Sequence, residues 1–115
     1  MDDIEDLRTR LRTFADARDW HQFHTPKNLA MALVAEAGEV VEHFQWLTPE
    51  ASAALPAAKR EEVALELADV LLYLVMLADK LGVDLVGAAR RKMDLNEDRY
   101  PADAVRGKSD QRGGR

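Results

Sequence analysis

No cysteine occurs among the 115 residues, which excludes disulfide staples, thiolate zinc sites and cysteine nucleophiles and fits a reducing compartment. Strand-like alternation and internal repeats are also missing, so an all-α bundle is the natural architecture. Positive charge is in short supply. Sixteen Lys and Arg stand against 21 Asp and Glu, a formal net charge of -5, which disfavours broad binding to nucleic acid polymers. An acidic protein that handles phosphates needs bridging cations. The N-terminal MDDIEDLRTR is acidic and amphipathic without a signal-peptide core, and acids break the apolar stretches too often for a membrane span. A soluble, cytoplasmic protein with no membrane partner is therefore expected.

What is present is organised around Val63 to Leu81, VALELADVLLYLVMLADKL. At 100° per residue its apolar side chains cover nearly the whole helical circumference, so it is expected to be a central helix buried on most sides. A chain of 115 residues is short for burying such a helix alone, and a second copy is expected to help. Glu62, Glu66, Asp69, Tyr73 and Lys80 fall in one strip about 60° wide, because residues three, four and seven apart share a face. Two carboxylates on a buried helix cost several kcal/mol each unless a positive group meets them.

Around that helix the rest reads in order. Ile4, Leu7, Leu11 and Phe14 recur at helical spacing, giving a first amphipathic helix over 3–17 read mainly as packing. RDWHQFHTPKN, 18–28, crowds Trp20, His21, Phe23 and His24 into a segment without helical periodicity, where aromatics pack either on the core or on a ligand's flat face. Thr25 caps a second helix with Pro26 in its first turn, running to about Trp46. Glu36 projects into its apolar stripe and Glu39 to one side, while Glu42 lies further round in solvent. Charges at core-facing positions point to function or strain. Gly38, between the acids, is expected to allow close approach of a backbone or ligand.

Thr48-Pro49 stops the second helix, and an Ala-rich connector with a short helical turn lets the central helix return antiparallel from about Ala57. Gly82 ends it, Asp84 caps a last helix over 85–98, and Pro101 closes that. The expected organisation is one four-to-five-helix domain over 1–105 and a charged, Gly-rich, disordered tail over 106–115.

Glu36/Glu39 and Glu66/Asp69 are two i, i+3 pairs on helices that fold back on each other. Four carboxylates without His or Cys at matching spacing suit Mg²⁺, with Mn²⁺ as a substitute, and such a site binds phosphate oxygens and activates water. A di-iron bundle would need Glu-x-x-His motifs. His43 stands four residues after Glu39, not three.

The ExxE and ExxD pairs, within RDWHQFHTPKNLAMALVAEAGEVVEHFQW, ELADVLLYLVMLA, VDL and KMDLNEDRYP, resemble the all-α nucleoside triphosphate pyrophosphohydrolases of the MazG-like superfamily, in the dCTP pyrophosphatase branch. The resemblance covers nearly everything from Leu7 to Pro101. It implies Mg²⁺-dependent cleavage of a dNTP to the dNMP and pyrophosphate, in a homo-oligomer (dimer or tetramer) whose active sites form between subunits. Glu36, Glu39, Glu66 and Asp69 would be the metal ligands and catalytic acids, and Trp20, His24, Trp46 and Tyr73 the nucleoside pocket. Where the dCTP enzymes place a histidine in the first helix, this chain has Leu11, which opens the alternatives of dUTP or modified nucleotides. Lys92, Asn96 and Arg99 share a face of the last helix and are candidates for neutralising the triphosphate, with Lys27, at the start of the second helix, as a lesser candidate; for Arg99 a dipole-favoured C-terminal cation is the competing reading. The non-enzymatic alternative is a helical dimerisation or adaptor module whose acids make inter-subunit salt bridges with Lys80, Arg90 or Arg91.

Overall fold

A computed structural model describes residues 2–108. Six α-helices and one 3-10 turn make up the described residues, with no strand. The four long helices are α1 (Asp3–Arg18), α2 (Pro26–Glu42), α4 (Ala57–Leu81) and α5 (Leu85–Arg99). Two single turns complete the set. The connector turn α3 (Pro49–Ser52) was expected, whereas α6 (Ala102–Val105), started by Pro101, was not.

Local chemistry sets most boundaries. Asp2 Oδ1 accepts the Glu5 N–H at 2.8 Å and starts α1. Thr25 Oγ1 accepts the Asn28 N–H at 3.1 Å, with Pro26 at the first helical position of α2. Gly82 takes the left-handed conformation at φ 67° and returns its N–H to the Ala78 and Asp79 carbonyls, ending α4. The expected extension of α2 to Trp46 is corrected: the regular helix stops at Glu42, and tighter bonds such as Phe44 N–H to Val41 O, 2.9 Å, carry the chain through 43–46.

The chain divides into two compact units, the first ending at Gly82 and the second beginning at Val83. In the first, α4 packs against α2 and, less extensively, α1. Its buried core consists of Ala15, Leu29, Val63, Val75 and Ala78. Arg12 on α1 reaches Asp79 on α4 through two hydrogen bonds, Nε to Oδ2 at 2.9 Å and Nη2 to Oδ1 at 2.5 Å, a fork that fixes the two helices in register. In the second unit, Asp84 Oδ1 caps α5 by accepting the Gly87 N–H at 3.1 Å.

Two expectations about burial fail within the single chain. α4 is not covered on most sides: Leu65 is 62% exposed and Leu67 54%, because α1 and α2 cover only part of its circumference. A Cβ built at Gly38 meets nothing within 4 Å, so the close approach expected there is not made by this chain. No helix among the described residues is long and apolar enough to cross a membrane. Of the tail expected over 106–115, residues 109–115 lie outside the described residues.

Candidate active site

Glu36 and Glu39 sit one turn apart on α2, and Glu66 and Asp69 one turn apart on α4. Where the helices pack, each of the four offers a carboxylate oxygen, and these atoms lie within 4.8 Å of one another. The pairing is ordered: His43 reaches Glu66, and Glu39 lies between Glu36 and Glu66, as antiparallel helices require. The carboxylates are less buried than the sequence pattern suggested. Glu36 and Glu66 are half-buried, while Glu39 and Asp69 are exposed, since one side of the cluster is open.

The electrostatics of this arrangement are unfavourable without a cation. Partial burial is the largest influence pushing the Glu36 carboxyl above its ordinary value, followed by hydrogen bonding with Glu39 and the charges of Glu39, Asp69 and Glu66. The Glu66 carboxyl is raised too, first by hydrogen bonding with Glu39, then by burial and like charge, with His43 pulling the other way from 3.9 Å. Glu36 Oε2 and Glu66 Oε2 are buried and have no hydrogen-bond partner. Unpartnered buried carboxylate oxygens are rare because they forfeit solvation without replacing it. An all-oxygen donor set with two such oxygens fits a hard divalent cation of the Mg²⁺ or Mn²⁺ kind.

Asp69 also lines an open groove of about 530 Å³ in the same unit. On the α4 side it is joined by Leu72, Tyr73 and Met76, and from the turn after α1 come Trp20 and His24. The opposite wall is α1, with Leu7, Arg10, Leu11 and Phe14. Phe14 meets Trp20 edge-on at 5.7 Å between centroids, and Trp20 meets His24 edge-on at 6.3 Å. The Arg18 guanidinium sits 3.6 Å from the Phe14 ring centroid. Burial lowers the His24 pKa, assisted by the charges of Lys80 and His21. The result is an aromatic-lined slot of about 530 Å³ that shares Asp69 with the four-carboxylate cluster.

Of the pocket residues expected from the sequence, Trp20, His24 and Tyr73 come together and Trp46 does not. Trp46 is 88% exposed beyond the end of α2 and lines no part of this groove. Lys27 is exposed at the start of α2, nine residues or about 13 Å along the helix from Glu36. Lys92, Asn96 and Arg99 belong to α5 in the second unit, Asn96 half-buried and the other two exposed. Sequence reasoning missed Phe14, Met76 and Arg10 as groove residues and set His43 aside. Phe14 belonged to the α1 stripe read as packing; the aromatic turn immediately after α1 was the available signal that this stripe faces a groove.

Comparison with known proteins adds an independent line. A model of the MazG-like family matches residues 31–113. The chain is 49% identical over 108 residues to dCTP pyrophosphatase 1 of Homo sapiens, covering 92% of this chain and 64% of the human protein. It is 48% identical over 106 residues to dCTP pyrophosphatase 1 of Mus musculus, covering 90% of this chain and 62% of that one. The chain thus spans somewhat less than two thirds of the length of these mammalian relatives. Among solved structures, a pyrophosphatase from Archaeoglobus fulgidus superimposes with a TM-score of 0.82 at 39% identity, covering 88% of this chain and 94% of the other.

Proposed function

The chain belongs to the MazG-like family, and from that premise we propose that it is a Mg²⁺-dependent pyrophosphohydrolase converting dCTP and water to dCMP and pyrophosphate, a house-cleaning activity on the cytoplasmic nucleotide pool. The observation that carries the reading is the four-carboxylate cluster sharing Asp69 with an aromatic groove. The names of the mammalian relatives support the substrate.

In this reading Glu36, Glu39, Glu66 and Asp69 hold the metal and are the catalytic acids. A divalent cation held by these four residues would supply neutralisation of phosphate charge and a lowered pKa for water bound to it. Trp20, His24 and Tyr73 hold the nucleoside, and Tyr73, one turn beyond Asp69, orients it so that the triphosphate extends towards the acids. A carboxylate oxygen of the set accepts the proton of the attacking water. Lys92, Asn96, Arg99 and Lys27 are the cationic and polar candidates for the triphosphate.

A second copy of the chain completes the assembly. Trp46, Val34 and Leu65 are exposed at 88%, 72% and 62%, and a homo-oligomer would cover such side chains and bring Trp46 to a neighbouring groove. A formal net charge of -5 supports free nucleotide rather than nucleic acid polymer as the partner. A second substrate reading, dUTP or a modified nucleotide, is favoured by one feature: Leu11 gives the α1 wall of the groove an apolar side chain with no hydrogen bond to offer a base.

The experiment is to incubate the protein with each dNTP and NTP, with and without Mg²⁺, and to resolve the products by chromatography. dCMP and pyrophosphate formed fastest, and only with Mg²⁺, is the expected result. Faster turnover of another nucleotide moves the specificity to the second reading, and no turnover by folded protein rejects the enzyme reading in favour of a dimerisation module.

A further inference from the structure

The turn between α1 and α2 is tied to both neighbouring helices through a side chain to which the proposed chemistry gives no role. His21 Nε2 lies 2.7 Å from Asp16 Oδ1 on α1, and His21 Nδ1 lies 3.1 Å from Lys80 Nζ near the end of α4. A lysine ammonium only donates, so Nδ1 accepts from Lys80 while Nε2–H donates to Asp16. One imidazole therefore bridges two helices.

The turn it anchors carries Trp20 and His24. The His24 ring packs edge-on against His21, 6.5 Å between centroids, and against Trp20. Lys80 stands seven residues beyond Tyr73, two helical turns along the same face of α4. Its bond to His21 thus sets how far the turn stands from the α4 wall that presents Asp69 and Tyr73, which is the width of the groove. The bridge is poorly placed to hold the fold together: the Asp16 side chain is 71% exposed and that of His21 37%, and polar contacts so open to water contribute little to stability. Its consequence is positional.

We propose that His21 is a positioning residue for the nucleoside groove, setting the spacing of Trp20 and His24 from Tyr73 by bridging Asp16 and Lys80. This role rests on the reading of the groove as the nucleoside site. Loss of the bridge leaves the turn free to sample wider arrangements, and the nucleoside must then order it on binding.

Steady-state kinetics with dCTP on the full chain test this. His21→Ala and Lys80→Met are each expected to raise KM roughly tenfold with kcat within about twofold of wild type. The double variant should be no worse than either single one, and His21→Gln, which keeps one donor and one acceptor, should recover most of the loss. A wild-type KM in His21→Ala, or a fall in kcat equal to that in kcat/KM, overturns the proposal. A readout that needs no nucleotide accompanies it. The chain has two tryptophans, so a Trp46→Phe background leaves Trp20 as the sole reporter. Acrylamide quenching of Trp20 is expected to rise with His21→Ala and return with His21→Gln. Unchanged quenching overturns the bridge by itself, whereas absence of turnover by wild-type protein overturns the nucleoside reading and this role with it.

Discussion

Asp69 and Tyr73 stand one turn apart on α4 and line the same groove, while Asp69 also belongs to the carboxylate cluster with Glu36, Glu39 and Glu66. In the proposed function, one helical turn would join the place where a base is held to the place where phosphate chemistry is performed. That adjacency makes separate demands on the two ends, and they can be perturbed separately.

At the aromatic end, Trp20→Ala removes a ring that meets both Phe14 and His24. Base–aromatic stacking contributes roughly 1–3 kcal/mol per base, so KM for the nucleotide should rise by roughly 5- to 150-fold. kcat should change far less, because the ring binds the nucleoside in ground and transition states alike. Initial-rate kinetics over a range of dCTP concentrations check this.

At the acidic end, stability should depend on pH and metal together. Glu36 and Glu66 have carboxyls raised above their ordinary value of 4.5, so the metal-free folded chain holds protons that the unfolded chain releases. Their destabilising effect is absent below that ordinary value and grows as pH rises through it to the raised values. Thermal melts in EDTA should therefore show a falling contribution from this cluster as pH climbs from about 4.5 towards neutrality, and Mg²⁺ should reverse the loss, by about 2.7 kcal/mol at a hundred times its Kd. Glu66→Gln should melt a few degrees higher than wild type without metal and gain little from Mg²⁺.

The fork between Arg12 and Asp79 has the opposite sign. The Arg12 hydrogen bonds and charge hold the Asp79 carboxyl below its ordinary value of 3.8. Its stabilisation is present above that value and is lost as pH falls through the depressed folded one. Asp79→Asn should lower Tm by roughly 4 °C or less near neutral pH, with the difference shrinking in strong acid, as read by calorimetry.

The apolar surface of the single chain sets an expectation for mass in solution. With Trp46 88% exposed and Leu65, Met31 and Val34 each above 60%, light scattering should return at least twice the chain mass of 12.9 kDa. A mass of one chain at micromolar concentration would leave these faces without an occupant.

What the sequence revealed was what is encoded locally. Thr25-Pro26 and Gly82 mark their helix ends because capping depends on a few adjacent residues. The four acids were legible because i, i+3 pairs stand out on otherwise apolar stripes, and antiparallel packing brought them together. The α1 wall of the groove was not, since Leu7, Leu11 and Phe14 make the same stripe whether they face a core or an open slot. His43 was set aside on its spacing from Glu39, yet packing places it beside Glu66 on another helix. Periodicity reports how apolar α4 is, not whether this chain or a second copy covers it, and within the single chain Leu65 and Leu67 stay exposed.

The most direct test compares dCTP turnover by wild-type protein and Asp69→Asn, each with and without Mg²⁺, with circular dichroism to establish that both are helical. The account requires dCMP and pyrophosphate from the wild type only with Mg²⁺, and a loss of at least about a hundredfold in the variant with its helicity retained. Turnover by Asp69→Asn at the wild-type rate, or wild-type turnover undiminished by EDTA, would contradict it.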